Sequence, residues 1–205
     1  NIPTGMAEDP YSSPTQMASN ASLYGTSGRQ IGWVAVAPRM AIHRDGTLWR
    51  WGQSEYGQGG NGPRDKSQSM VQVPGTTWGQ DMTKISTSSR ITAGIKQDGT
   101  LWCWGRNDNY GQLGQNDRTS RSSPVQVPGT TWSSVHVENQ FVRAVKTDGT
   151  MWGWGRNDDE NKGRLGANFI GNRSSPVQIP GTNWSQKIYG MGGFGSAQIA
   201  LKQSD

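Results

Sequence analysis

Apolar and polar positions alternate in short runs along most of this chain, and no long stretch keeps the 3.6-residue apolar period of a helix. Residues Ile91 to Gln97 are β-compatible, Asp98-Gly99 is a strong hairpin signal, and Thr100 to Trp104 returns as the partner strand. Period-two geometry puts Trp102 and Trp104 on one face, with Leu101 and Cys103 on the other. Bulk on both faces suits a sheet packed between two similar sheets. Gly105 to Gly114 reads as a glycine-punctuated loop, and Val125 to Val127 as a short strand stopped by Pro128-Gly129. The unit therefore holds about four strands, the content of one propeller blade.

The same unit recurs. Asp45-Gly-Thr-Leu-Trp-Arg-Trp-Gly52, Asp98-Gly-Thr-Leu-Trp-Cys-Trp-Gly105 and Asp148-Gly-Thr-Met-Trp-Gly-Trp-Gly155 are spaced by 53 and 50 residues. A second marker runs in phase with it: Val71-Gln-Val-Pro-Gly-Thr-Thr-Trp78, Val125-Gln-Val-Pro-Gly-Thr-Thr-Trp132 and Val177-Gln-Ile-Pro-Gly-Thr-Asn-Trp184. Two markers with one period predict a repeat architecture. The expectation is an all-β fold, a β-propeller or propeller segment, with three full four-stranded blades plus a partial fourth. The units run roughly over 31–78, 79–132 and 133–184, with the partial one at 185–205. Residues 1–30 are rich in Ser, Thr, Asn, Gln, Gly and Pro and read as a polar N-terminal arm or linker.

Hydrophobic residues make up only 31% of the 205, yet ten Trp supply large core rings and 29 Gly shape tight turns, so the composition is that of a folded protein. The net charge of +5 favours anionic partners, but the 20 Lys and Arg are spread through all the repeats. A solvated basic surface is the simpler reading, with nucleic acid not expected as a partner. Cys103 is the single cysteine, so no intrachain disulfide can form, and Arg50 and Gly153 take its place in the other copies. The longest largely apolar stretch, Ile31 to Ala37, is too short to span a bilayer.

Catalytic chemistry finds little support. No phosphate-binding glycine-rich motif is present, and the two histidines, His43 and His136, occupy non-equivalent places in different units. Asp45, Asp98 and Asp148 precede Gly at the same turn in each unit, which fits a structural role. Trp49, Trp51, Trp102, Trp104, Trp152 and Trp154 lie mid-strand and read as packing between blades. Asp158-Asp159-Glu160 offers oxygens suited to calcium, but reads as a solvated loop tip. No enzyme activity, cofactor or metal is expected. The best candidate interaction residues are Tyr56, Arg106, Tyr110 and Arg156, which follow the Trp-Gly pair and would gather on one rim.

These residues resemble the repeats of the regulator-of-chromosome-condensation family, in which a Trp-Gly is followed by an Asn and a Gly-Gln-Leu-Gly loop. Trp104-Gly105-Arg106-Asn107 with Gly111-Gln112-Leu113-Gly114 matches fully, and Trp154 to Asn157 with Gly163-Arg164-Leu165-Gly166 nearly so. The first copy, Trp51 to Ser54 with Gly57-Gln58-Gly59-Gly60, lacks the Asn and the Leu. The resemblance implies a seven-bladed propeller, nearly twice what this chain holds. A larger parent protein, several chains assembling open arcs, and a smaller ring all satisfy that count. No residue matches the wedge with which the founding member promotes nucleotide exchange.

The function expected is a non-catalytic, structural or protein-interaction propeller, most concretely a bacteriophage virion component such as a decoration or tail-associated protein. Its partners would be other subunits of an assembly or oligomer, and its place the virion, with the cytoplasm as alternative. A regulatory module of exchange-factor or inhibitor style acting on a soluble protein is the second reading. A binder of anionic ligands such as lipopolysaccharide or nucleic acid is the third.

Overall fold

The computed structural model describes residues 32–185, apart from 63, 65 and 159–162. The proposed arm at 1–30 and all but the start of the proposed partial blade at 185–205 lie outside the described residues. Three four-stranded antiparallel sheets follow one another along the chain, each a β-propeller blade in which sequence order is spatial order. Blade 1 comprises β1 (Trp33–Ala37), β2 (Met40–His43), β3 (Leu48–Gln53) and β4 (Lys66–Val73). Blade 2 comprises β5 (Ile85–Thr87), β6 (Ile91–Ile95), β7 (Leu101–Gly105) and β8 (Arg121–Gln126). Blade 3 comprises β9 (Trp132–Val137), β10 (Phe141–Lys146), β11 (Met151–Gly155) and β12 (Arg173–Ile179).

The hairpin between second and third strands is built by the Asp-Gly-Thr-x-Trp motif. In blade 2 the Asp98 carboxylate accepts from the Thr100 amide at 2.9 Å and from its hydroxyl at 2.6 Å. The same Thr100 oxygen accepts the Trp102 indole N–H at 2.9 Å. Gly99 supplies the left-handed corner at φ +78°. Blades 1 and 3 repeat the relay through Asp45–Thr47–Trp49 and Asp148–Thr150–Trp152. The motif is thus a turn with a tethered indole, its carboxylate already committed to two donors.

One element differs from the sequence expectation. The outermost strand of blade 2 begins at Arg121, ahead of the expected Val125, and runs through Pro124. A bulge opposite Cys103 and Gly105 absorbs the extra residues, and β8 lies at the sheet edge. A proline that donates no ladder bond is tolerated at such a place. The same bulge recurs in blades 1 and 3.

Neighbouring blades are joined by the second marker. The backbone N–H of Trp78 donates to Gly46 O at 3.0 Å, that of Trp132 to Gly99 O at 2.9 Å, and that of Trp184 to Gly149 O at 3.0 Å. Side chains continue the junction: Trp104 and Trp154 are fully buried and complete hydrophobic clusters shared with the adjoining blade. The remaining members of the Trp pairs, Trp49, Trp51, Trp102 and Trp152, are half-buried. Lys96 Nζ lies 4.2 Å from the Trp102 ring centroid and Lys146 Nζ 4.7 Å from that of Trp152, so the exposed faces of these indoles are covered by cations.

Candidate protein-interaction surface

The loops after β3, β7 and β11 leave the strands at the end opposite the Asp-Gly hairpins. Each is anchored by a buried polar residue. In blade 2, Asn107 donates to the Asp117 carbonyl at 3.1 Å and carboxylate at 3.0 Å, while its own oxygen accepts the Leu113 N–H at 2.8 Å. Asn157 does the same work in blade 3, donating to Phe169 O at 2.7 Å and accepting from Leu165 N at 3.0 Å. Leu113 and Leu165 are fully buried beneath these loops.

Blade 1 reaches the same loop by different residues. Ser54 stands for the Asn and accepts the Gly59 N–H at 3.0 Å. Gly59 stands for the Leu, and a Cβ there would lie 3.0 Å from Arg50 Nε. The Arg50 side chain therefore occupies the space the missing leucine leaves, at 1% exposure. Arg143 is also largely buried, and burial pulls its guanidinium below the ordinary arginine range. At these two positions a long basic stem fills space inside a blade.

The four candidate rim residues meet in pairs across blade junctions. The Arg106 guanidinium carbon lies 5.2 Å from the Tyr56 ring centroid, and that of Arg156 lies 5.0 Å from the Tyr110 centroid. Each arginine is steered by the carboxylate two residues on: Nε donates to Asp108 and to Asp158 at 2.7 Å. The bond from Arg106 holds the half-exposed Asp108 below its usual range. Each tyrosine is placed in turn by a buried glutamine, with the backbone N–H of Tyr56 donating to Gln58 Oε1 at 2.8 Å and that of Tyr110 to Gln112 Oε1 at 3.2 Å. All four side chains remain part-exposed. The result is a stepped row of alternating Tyr and Arg along one rim.

Two members of this rim escaped the sequence reading. Arg90 ends the turn between β5 and β6, with its guanidinium carbon 6.0 Å from the Tyr56 centroid, so one ring carries two arginines. Arg39 occupies the equivalent turn of blade 1 and is exposed. The backbone equates Arg90 with Gln140, whose carbonyls accept from Arg106 and Arg156 at 2.9 and 2.8 Å, whereas Arg39 O accepts from Trp51 at 3.0 Å, two residues earlier in the motif, because the first turn of blade 1 is shorter.

The residues considered for chemistry are dispersed. His43 lies buried in β2 with Nδ1 3.0 Å from Asp45, and His136 lies in β9 with Nε2 3.2 Å from Glu138, in separate blades. Cys103 is buried in β7, and burial pushes its thiol far above the ordinary range, which disfavours the reactive thiolate. Asp158 of the acidic loop is engaged by Arg156, while Asp159 and Glu160 lie outside the described residues. Among the described residues no group of three His, Cys, Asp or Glu is placed to hold a metal ion, and no helix is long and apolar enough to cross a membrane.

Comparison with known proteins converges on one repeat type. Models of the regulator of chromosome condensation (RCC1) repeat match residues 98–142 and 82–112. The first of these spans strands of blades 2 and 3 and so crosses their junction, while the second lies within blade 2. The human E3 ubiquitin-protein ligase HERC2 is 28% identical over 93 residues, covering 45% of this chain and 2% of that protein. The Ultraviolet-B receptor UVR8 of Arabidopsis thaliana is 31% identical over 104 residues, covering 50% of this chain and 23% of the receptor.

Among solved structures, human WBSCR16 superposes with a TM-score of 0.64 at 22% identity, over 82% of this chain and 43% of that one. Prp20p of Saccharomyces cerevisiae, whose structure was described with its binding to Gsp1p and histones, gives 0.54 at 20% identity, over 76% and 40%. The chain thus spans less than half the length of these structures and under a quarter of these curated relatives. The four-stranded sheets and these solved structures show a β-propeller fold, within which residues 82–142 match the RCC1 repeat.

Proposed function

We propose that this chain is a non-catalytic, regulatory or scaffolding module that binds another protein through the rim of loops following the Trp-Gly pairs. The observation that carries this reading is the stepped row Tyr56–Arg106 and Tyr110–Arg156, held part-exposed by buried anchors beneath it. Tyr and Arg pre-ordered in this way lose little side-chain freedom on binding and are preferred interface anchors. That Prp20p binds proteins on the same fold is consistent with this reading. The ligase relatives are matched over a small fraction of their length, so no ligase activity is brought over. The narrower virion role draws no support from these relatives, which are eukaryotic proteins.

Site-specific photo-crosslinking tests the reading. A photoreactive residue at exposed Asn109 on the rim should yield a discrete protein adduct in lysate of the source cells. One at exposed Thr130, at the opposite end of the strands, should not. Adducts from Thr130 alone, or from neither position, would remove the rim from consideration.

A further inference from the structure

The two described junctions of the rim are built alike but differ in charge. At the junction of blades 2 and 3, Arg156 is fully occupied: Nε on Asp158 at 2.7 Å, Nη1 on Gln140 Oε1 at 3.0 Å, and its plane near Tyr110. At the junction of blades 1 and 2 the position of Gln140 is taken by Arg90, which makes no such bond and shares the Tyr56 ring with Arg106. Arg39, exposed on the first turn of blade 1, keeps its stem over Gly52 of its own blade, where a Cβ would lie 3.3 Å from Arg39 Cδ. Among the described residues neither Arg39 nor Arg90 has a carboxylate within ion-pair distance, and Asp108 answers Arg106 alone.

We propose that this first junction is the recognition site for an acidic segment of the partner protein, with Arg90 supplying the guanidinium fork and the Tyr56 ring holding Arg90 and Arg106 in place. Planar guanidiniums match carboxylates in pairs, and stacking on an aromatic ring fixes the fork before the ligand arrives. Asp108 answers Arg106, so of the two cations on this ring Arg90 is the one left to meet an incoming carboxylate. The second junction lacks the unpaired arginine and therefore lacks the site. This inference rests on the rim reading above and narrows it to one step of the rim and one partner chemistry.

The test is fluorescence anisotropy of a labelled oligoglutamate peptide with the full chain at physiological salt. Arg90→Gln, which copies what blade 3 already tolerates at Gln140, is expected to weaken binding roughly tenfold. Arg44→Gln removes the same charge from an exposed turn at the far end of the strands and is expected to change affinity less than about twofold. Gln140→Arg is expected to strengthen binding by creating a second site.

Equal weakening by Arg90→Gln and Arg44→Gln would reduce the effect to net charge and overturn the proposal. So would undetectable peptide binding, or an oligonucleotide of equal charge bound as tightly with the same dependence on Arg90. If Asn109 still crosslinks a protein while the peptide fails, only the acidic site is lost. If both fail, the rim itself is lost.

Discussion

The loop after β7 and the loop after β11 share their internal design and differ in what lies outside them. Both hang from a buried asparagine and cover a buried leucine. The blade 2 loop is also pressed upon by blade 3: Trp154 donates to Gln112 O at 3.1 Å, and the Asn116 N–H donates to Ser174 O at 2.6 Å. In the blade 3 loop the carbonyl equivalent to that of Gln112, Arg164 O, accepts instead from Arg143 of its own blade. Ile170 there stands 60% exposed, and a Cβ at Gly163 would meet nothing within 4 Å among the described residues. Each loop therefore carries two separable sets of contacts, Asn and Leu to its own blade and backbone groups to the next.

The largest effect should come from removing the indole that makes the difference. Trp154→Ala deletes a fully buried ring from the shared cluster and leaves Gln112 O without its donor. A loss of about 3–5 kcal/mol is expected from such truncations, read by urea unfolding followed by circular dichroism. Trp152→Ala, at the half-buried position of the same strand, should cost about 1–2 kcal/mol. Equal losses would mean that the junction is not held by the second indole of the pair.

Much of this organisation was written locally in the chain. The Asp-Gly-Thr-x-Trp turn closes within five residues, so its strands and corner followed from residue types and order, whereas the indole tethered to the threonine was seen only in the structure. The Tyr–Arg rim was also within reach, because the two loops repeat at a fixed spacing. Arg90 was not, since what marks it is a ring brought close from 34 residues away in the preceding blade. The burial of Arg50 was hidden for a similar reason: its space exists only because Gly59 is not a leucine. Pro124 within β8 became intelligible once that strand was known to be an edge with a bulge.

A smaller effect sharpens the loop comparison directly. Gly111 and Gly163 are equivalent and both left-handed, at φ +71° and +79°. Alanine at either carries the same backbone strain, about 1–2 kcal/mol. At Gly111 the added methyl also runs into Ser174 Cα of the next blade, whereas at Gly163 it meets nothing within 4 Å among the described residues. Gly111→Ala should therefore be worse than Gly163→Ala by a further ~1–3 kcal/mol in the same unfolding assay. Indistinguishable variants would show that the loop contact with the next blade contributes no stability.

The smallest effect falls at the hairpin end, where blades 2 and 3 do not differ. The Thr100 hydroxyl and amide, with Lys96 helping and slight burial opposing, hold the Asp98 carboxyl below its usual range. Thr150 and Lys146 do the same for Asp148. A depressed carboxyl contributes stability that is complete above the ordinary aspartate value of about 3.9 and is lost as pH falls through the folded-state value. Both groups are exposed and screened, so each contribution should stay below about 1 kcal/mol. Asp98→Asn keeps an acceptor for the turn but cannot titrate, so its urea midpoint should fall less than wild type between about pH 6 and about pH 2.5. Asp148→Asn should behave identically, because each carboxylate accepts from the threonine of its own turn in the same geometry. A pH response confined to one of the two would show that the contacts distinguishing the loops reach the far end of the sheets.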